Sequence, residues 1–330
     1  MSVLVTGGAG YIGSHMVLAL VDAGRPVVVL DDLSTGMRSA VPEGVPFYEG
    51  CVGDEALVGR ILAENGVEAI VHFAGSIVVP DSVTDPLGYY LNNTVRSRAL
   101  IAAAVAGGVK RFVFSSTAAV YGEASAEPLS ESAPLDPVSP YGASKLMTER
   151  MLADASAAYG LGFAALRYFN VAGADPKGRA GQSSARATHL IKVASQAAVG
   201  QRDKLQMFGE DYPTRDGTCV RDYIHVSDLA KAHVLALDHL AKGGESLVAN
   251  CGYGTGASVK EVIQSVKRVS GIDFPVEAAA RRAGDPASLV ANPAKARSVL
   301  GWTPDHADLD TIVAHALAWE KRLAEKTAAR

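Results

Sequence analysis

A tyrosine and a lysine four residues apart, Tyr141 and Lys145, follow a proline in the stretch SPYGASKLMTE. Four residues is little more than one helical turn, so in a helix both side chains share a face. That pair could do acid–base work. A phenol with its ordinary pKa of about 10 is barely ionised at neutral pH, and an adjacent ammonium favours the phenolate. The competing reading is structural, with the ring packed on the lysine stem, and the segment alone does not separate the two. The rest of the chain must supply a partner for the chemistry.

A partner is readable at the N-terminus. VTGGAGYIGSH sets Gly7, Gly10 and Gly13 between a first apolar strand and a first helix. In that context the glycines serve a tight turn, close backbone approach to a pyrophosphate, and packing of helix on sheet. The free N–H groups and positive dipole end of the helix favour phosphates. After the second strand comes Asp31, a carboxylate suited to a ribose diol and repulsive to a 2′-phosphate, which favours NAD over NADP. Arg38 stands well past the strand end, as a loop charge.

Apolar β-branched runs then alternate with helical patterns: PVVVLDDL, DEALVGRILAENG, VEAIVHFAG, the long helical YYLNNTVRSRALIAAAVAGG, VKRFVFSSTAAVYG and GFAALRYFNVAG. This βαβ rhythm predicts an α/β fold built on a parallel sheet covered on both faces. After about Ala174 the rhythm breaks into loop-rich sequence, followed by the helix VSDLAKAHVLALDHLA with Ser227 as its N-cap, the strand SLVANCG and two further helices. The expected organisation is a nucleotide-binding domain over 1–174, rejoined at about 222–252, and a smaller mixed α/β lobe from 175–221 and 253–330.

The 330 residues carry 31 Lys and Arg against 35 Asp and Glu, a formal charge of −4, which gives no electrostatic footprint for nucleic acid. No apolar run reaches membrane-spanning length. Cys51, Cys219 and Cys251 are odd in number and lack metal-ligand spacing, so reduced thiols in a cytoplasmic protein, with no metal, are expected. His72, His189, His225 and His233 are scattered and read as core or capping residues.

TGGAGYIG, HFAG, SSTAAVYG, SPYGASK and RYFN occur in order, and the chain resembles the extended short-chain dehydrogenase/reductase family. FGEDYPTRDGTCVRDYIHVSDLA and RRAGDPA resemble its UDP-glucose 4-epimerases in particular. The resemblance implies a Rossmann-type doubly wound sheet holding NAD, a small C-terminal domain holding a UDP-sugar, and a homodimer formed through core-domain helices. It makes Tyr141 and Lys145 the catalytic pair, with Thr117 completing the triad.

Cofactor contacts are implied for Tyr11 and Ile12 beside the three glycines, and for Asp31, Asp32, Ser34, Thr35 and Gly36 after the second strand. Further on they are implied for Cys51, Val52, Phe73, Ala74, Gly75, Asn92, Ser115 and Tyr168. Two positions depart from the family. Cys51 replaces an aspartate that meets adenine, leaving the backbone of Cys51 and Val52 for that task, and Ile77 replaces a lysine seen in some members. For the UDP-sugar the resemblance implies Phe169, Asn170, Thr188, His189 and Leu190. It adds Gln206, Met207, Phe208, Arg221 and Tyr223, and then Arg282, Asp285 and Leu289.

The chemistry then expected is reversible 4-epimerisation of UDP-galactose and UDP-glucose, through hydride removal to NAD, a 4-keto sugar and its rotation. Such inversion needs a base for the hydroxyl proton, which Tyr141 provides, a hydroxyl at Thr117 to hold the oxygen, and a strongly held nucleotide with a loosely held hexose. Guanidinium forks at Arg221 and Arg282 match a diphosphate, and Asp285 a ribose diol. Leu289 stands where side-chain size governs N-acetylated sugars, so UDP-N-acetylglucosamine and UDP-pentoses stay open as alternatives. Sugar-nucleotide dehydratases resemble one another in an acidic pair after the threonine, and here Ala118 and Ala119 follow Thr117. A protein that only binds NAD would have no use for the triad.

Overall fold

The computed structural model describes residues 1–123, 128–184, 188–282 and 285–328. The first strands in chain order are β1 (Ser2–Thr6), β2 (Val27–Asp31), β3 (Phe47–Glu49), β4 (Val67–His72), β5 (Arg111–Thr117) and β6 (Gly162–Tyr168). They are followed by β7 (Asn170–Ala172), β8 (Leu205–Phe208), β9 (Val220–His225), β10 (Leu247–Cys251), β11 (Gly256–Ser258), β12 (Val276–Ala279) and β13 (Ser288–Leu289). The main sheet has seven strands in the order β10-β6-β5-β4-β1-β2-β3, with neighbours parallel throughout. This is the doubly wound Rossmann order, and it opens a crevice beyond the C-terminal ends of β1 and β4, where the winding reverses.

The strands are apolar because both faces are covered: all five residues of β2 are buried. Successive residues enter opposite cores. Val3 and Val5 pack with Met16, Val17 and Leu20 of the helix Tyr11–Asp22 and with Leu229 and Ala236 of the helix Val226–Ala241. Leu4 packs on the other face with Val58 and Ile61 of the helix Glu55–Glu64 and with Leu100, Ala104 and Leu152. The period of two in β1 thus divides the molecule into its layers.

The long helix expected before β5 is interrupted. An α-helical turn at Pro86–Tyr89 runs into a π-helical stretch, Tyr90–Val95, before the α-helix Arg96–Ala106. The wide turn lets the Asn93 side chain reach the next loop, where its Oδ1 accepts from Ser76 N (2.8 Å) and its Nδ2 donates to Ser76 O (2.9 Å). The helix carrying Tyr141 spans Pro140–Tyr159. Ser139 Oγ accepts from Gly142 N (3.2 Å), proline occupies the first turn, and Gly160 ends the helix in the left-handed region (φ 70°).

One residue after β6 the chain leaves the large sheet: β7 pairs with β9 in a four-stranded sheet that also contains β11 and β13, while β8 and β12 form a separate parallel pair. The chain returns to the large sheet for β10. The helix that begins at Val226 is capped differently from the sequence expectation. His225 Nδ1 accepts from Ser227 N (3.0 Å), so Ser227 gives up its backbone N–H and histidine is the cap. Ser227 lies already inside the helix, where its own N–H is one of the donors that need a cap, and the imidazole two residues before it supplies the acceptor.

Asp222 fastens the small sheet. Its carboxylate is fully buried and accepts from Tyr253 N (2.8 Å), Gly254 N (2.9 Å) and Ala291 N (3.2 Å). Burial pushes its pKa up, and those three N–H groups and Arg297 oppose the rise. Asp222→Ala leaves three donors without their acceptor and is expected to cost on the order of 3 kcal/mol. Urea unfolding followed by far-UV circular dichroism checks this, and an unchanged midpoint would refute it.

Candidate active site

Tyr141, Lys145 and Thr117 are all buried, at 6%, 3% and 8% exposure, although all three are polar. They meet because the Pro140–Tyr159 helix lies along β5: Lys145 Nζ donates to Ser115 O (3.0 Å) and stands 4.9 Å from the Phe114 ring centroid. Ser115 Oγ in turn meets Tyr168 OH at 2.8 Å. Ser115 and Thr117, at i and i+2, share a face of β5. Burial pushes the Tyr141 phenol up to about 12, and the Thr117 hydroxyl pulls against that rise. Burial also lowers Lys145 to about 8. The sequence predicts a phenol depressed by the lysine and a positive nicotinamide ring together; within the protein alone desolvation wins and the lysine turns its Nζ to a backbone carbonyl. The phenol therefore needs further positive charge to ionise near neutral pH.

The glycine loop stands at the crevice. A Cβ on Gly7 (φ 69°) would lie 2.6 Å from Ala74 N, and one on Gly13 would lie 2.1 Å from Gly7 O. Neither position admits a side chain, and Gly10 caps the helix that begins at Tyr11, so exposed N–H groups and a bare backbone face the crevice. These residues fit a dinucleotide pyrophosphate. Asp31 ends β2 with its carboxylate accepting from Ala9 N and Leu33 N (2.9 Å each), which fixes the loop before any ribose is bound. Leu33 takes the left-handed region (φ 55°) to make this turn.

Asp32, Ser34 and Thr35 are exposed beyond it, with Ser34 bonded to Asp32, and Gly36 packs on Ala9. At the end of β3, Cys51 Sγ accepts from Gly53 N (3.3 Å) and Val52 is buried. Ile12 packs against the core beside the loop, and Phe73, Ala74 and Gly75 follow β4. Asn92 Nδ2 donates to Ser76 Oγ (2.8 Å).

The second cluster forms across the small sheets. Arg221 and Arg282 both approach Asp285, at 3.6 and 2.9 Å, and the Arg282 guanidinium lies 4.9 Å from the Phe208 ring centroid. Strand register supports the group: Leu289 pairs with Arg221, and Asn170 pairs with Tyr223. Met207 and Gln206 are not brought in by any such contact. Alternation along β8 sends Met207 into the core and leaves Gln206 exposed. Thr188 is exposed too, and Phe169 is buried in a small core that includes Ala118, Tyr121 and Leu146.

Tyr11, which follows the glycine loop, lines a pocket together with Asn170, His189, Leu190 and Tyr223. Tyr11 OH donates to Gly173 O (2.7 Å) across it. Gln182, Lys192, Trp319 and Glu320 also line this space. Lys192 and Glu320 form a buried ion pair between residues 128 positions apart, and no spacing in the sequence signals it.

Comparison with known proteins places this geometry. The family model described as the NAD dependent epimerase/dehydratase family matches residues 3–252. A UDP-glucose 4-epimerase of Azospirillum brasilense is 59% identical over 321 residues, 97% of this chain and 92% of that protein. Among solved structures, the UDP-Glc/GlcNAc 4-epimerase of Campylobacter jejuni is 48% identical with a TM-score of 0.85, over 97% of this chain and 99% of that one. A UDP-glucose-4-epimerase from Stenotrophomonas maltophila, solved with bound NAD and formylated UDP-arabinopyranose, is 38% identical with a TM-score of 0.95 over 99% of each chain.

Lys145 carries a stability signature of its own. Its folded pKa lies below the unfolded value, so the folded state bears a desolvation cost that is fully present below pH 8. That cost is relieved as the pH rises from about 8 toward the unfolded value of 10.5. Lys145→Met is therefore expected to unfold at a higher temperature than the parent at pH 7, by roughly 1–3 kcal/mol in free energy, with the gap closing by pH 10. Thermal melts at the two pH values check it; a less stable variant at pH 7 would show that the lysine's bonds outweigh its burial.

Proposed function

This chain belongs to the NAD dependent epimerase/dehydratase family, and from that premise we propose that it interconverts UDP-galactose and UDP-glucose by reversible epimerisation at C4. The observation that carries the reading is the burial of Tyr141, Lys145 and Thr117 together beside a glycine loop that admits no side chain. Gly7, Gly10 and Gly13 would hold the pyrophosphate of NAD and Asp31 its ribose. When bound, NAD supplies a hydride acceptor and a positive charge. Tyr141 Oη takes the proton of the sugar hydroxyl, Thr117 Oγ1 holds the same oxygen, and Lys145 keeps a cation on the phenol's side of the helix. Arg221 and Arg282 grip the diphosphate and Asp285 the uridine ribose, while Phe208 offers its ring to the base. Polar anchors thus concentrate at the nucleotide end, and the half-buried Leu289 forms an apolar wall at the sugar end.

The division of labour we propose assigns 1–174 with about 222–252 to the cofactor and 175–221 with 253–330 to the UDP-sugar. A UDP-N-acetylhexosamine or UDP-pentose is the second reading, supported by the intermediate size of Leu289 and by the C. jejuni relative's stated use of both Glc and GlcNAc. The dehydratase reading finds no support, because Ala118 and Ala119 offer no acid after Thr117. No helix among the described residues is long and apolar enough to cross a membrane. The three cysteines are free, which supports a reducing, cytoplasmic setting.

A homodimer is part of the same proposal. Leu87, Leu91 and Val95 recur every four residues along 86–95 and are 78%, 51% and 54% exposed. Beside them Thr94 Oγ1 reaches Met147 Sδ (3.9 Å) on the Tyr141 helix, where Met147 is itself 43% exposed. One contiguous apolar face spanning two helices suits a second copy of itself.

Purified protein supplied with NAD is expected to equilibrate UDP-galactose and UDP-glucose, while Tyr141→Phe keeps NAD and loses turnover by at least about 10²-fold. A panel of UDP-hexoses, UDP-N-acetylhexosamines and UDP-pentoses followed by chromatography is the test. Failure on UDP-galactose with turnover of another sugar would move the assignment to that sugar. In analytical ultracentrifugation the parent is expected to sediment as a dimer and Leu91→Arg to shift toward monomer; a monomeric parent would refute the interface.

A further inference from the structure

Behind the Tyr141 helix lies a buried polar chain that takes no direct part in the chemistry proposed above. Glu149 follows Lys145 by four residues, so Tyr141, Lys145 and Glu149 form one stripe on the sheet-facing side of the helix. The Glu149 carboxylate is 5% exposed and is held on both oxygens by Arg167 of β6, itself 4% exposed: Nε to Oε1 at 3.0 Å and Nη2 to Oε2 at 2.6 Å. Ser116 Oγ of β5 donates to the same Oε1 at 2.5 Å. Lys145 and Glu149 therefore pin the helix at two successive residues of β5, Ser115 and Ser116, directly before Thr117.

The chain continues toward the sugar pocket. Arg167 Nη1 donates to Tyr121 OH (3.0 Å), Tyr121 OH to Asn250 Oδ1 (2.7 Å), and Asn250 Nδ2 to Leu129 O (2.8 Å). Leu129 is bonded on both sides to the strand end that follows Leu289, through Val290 O (2.8 Å) and Asn292 N (2.7 Å). One unbroken set of buried hydrogen bonds thus runs from the catalytic helix to the pocket wall. A bidentate carboxylate–guanidinium pair fixes both distance and rotation, which apolar packing along the same helix would not.

We propose that Glu149, Arg167 and Ser116 are positioning residues that set the rotation of the Tyr141 helix over Thr117 and tie it to the Leu289 wall. They act through Tyr141 and touch neither substrate nor cofactor. The proposal rests on the epimerase reading, and its test is arranged so that the two can fail separately.

Glu149→Gln keeps the shape and removes the charge, while Ser116→Ala and Ser116→Thr differ in whether the hydroxyl bond to Glu149 survives. For Glu149→Gln and Ser116→Ala, kcat on UDP-galactose is expected to fall roughly 10- to 100-fold, with KM and retained NAD within about twofold of the parent. The rising limb of the kcat–pH profile should move to higher pH, as the phenol loses its placement against the Thr117 hydroxyl that opposes the rise of its pKa, and Ser116→Thr should restore parental values. If Glu149→Gln does not fold, the two Ser116 variants decide alone. Parental kcat and pH profile in Ser116→Ala, or an equal loss in Ser116→Thr, would overturn the positioning role whatever the melting temperatures show. An inactive parent would overturn both readings.

Discussion

The docking of one helix on one strand governs the rest of this site. The Pro140–Tyr159 helix presents a cation at Lys145 and a carboxylate at Glu149 to the middle of a parallel sheet, and both are buried. A charge removed from water without a partner is costly, and breaking a buried pair exposes that cost at about 3–5 kcal/mol. Few placements of the helix satisfy both groups. Lys145 meets the Ser115 carbonyl, and Glu149 meets Ser116 and Arg167. Tyr141, two turns before Glu149, is thereby held against Thr117.

The same desolvation acts on the chemistry. Burial lifts the Tyr141 phenol to about 12 and lowers Lys145 to about 8, so each resists its charged form. A phenol made this reluctant remains protonated until further positive charge arrives, which in the proposed reaction would couple proton transfer to an assembled site. His72, below the same region, is held neutral for related reasons. Burial and then Lys145 lower it to about 3, and it bridges Thr6 and Ser97 through its two ring nitrogens. Both ring nitrogens of this buried histidine are thus partnered, as a rigid polar support requires.

The opposite side of the crevice is built by a change of sheet. β6 belongs to the large sheet, and after Phe169 β7 joins the small one, so Tyr168 and Asn170 belong to two different sheets within three residues. Asp222 secures that crossing by collecting N–H groups from segments near 253 and 291. Arg221 and Tyr223 flank it, and alternation along the strand points them away from Asp222. A buried structural anchor and two residues proposed to meet the UDP-sugar, the buried Tyr223 and the half-buried Arg221, thus share one strand.

Local sequence determined much of this protein. The period of two in SVLVT, the glycines at 7, 10 and 13 and the Tyr-x-x-x-Lys spacing act over a few residues. Backbone sterics and helical geometry fix their meaning wherever they occur, so the parallel sheet, the loop and the pair on one helical face were legible. The cap at His225 in place of Ser227 was not legible, because it depends on an imidazole accepting from the N–H two residues on, which cap preferences do not encode. The direction of the Tyr141 shift also lay beyond the sequence, since desolvation depends on everything packed around a group. The partnerships Glu149–Arg167, Lys192–Glu320 and Arg221–Asp285 join residues brought together only by the order of strands and the crossing between sheets. Ionic contact acts through space, and only the tertiary structure decides which charges become neighbours.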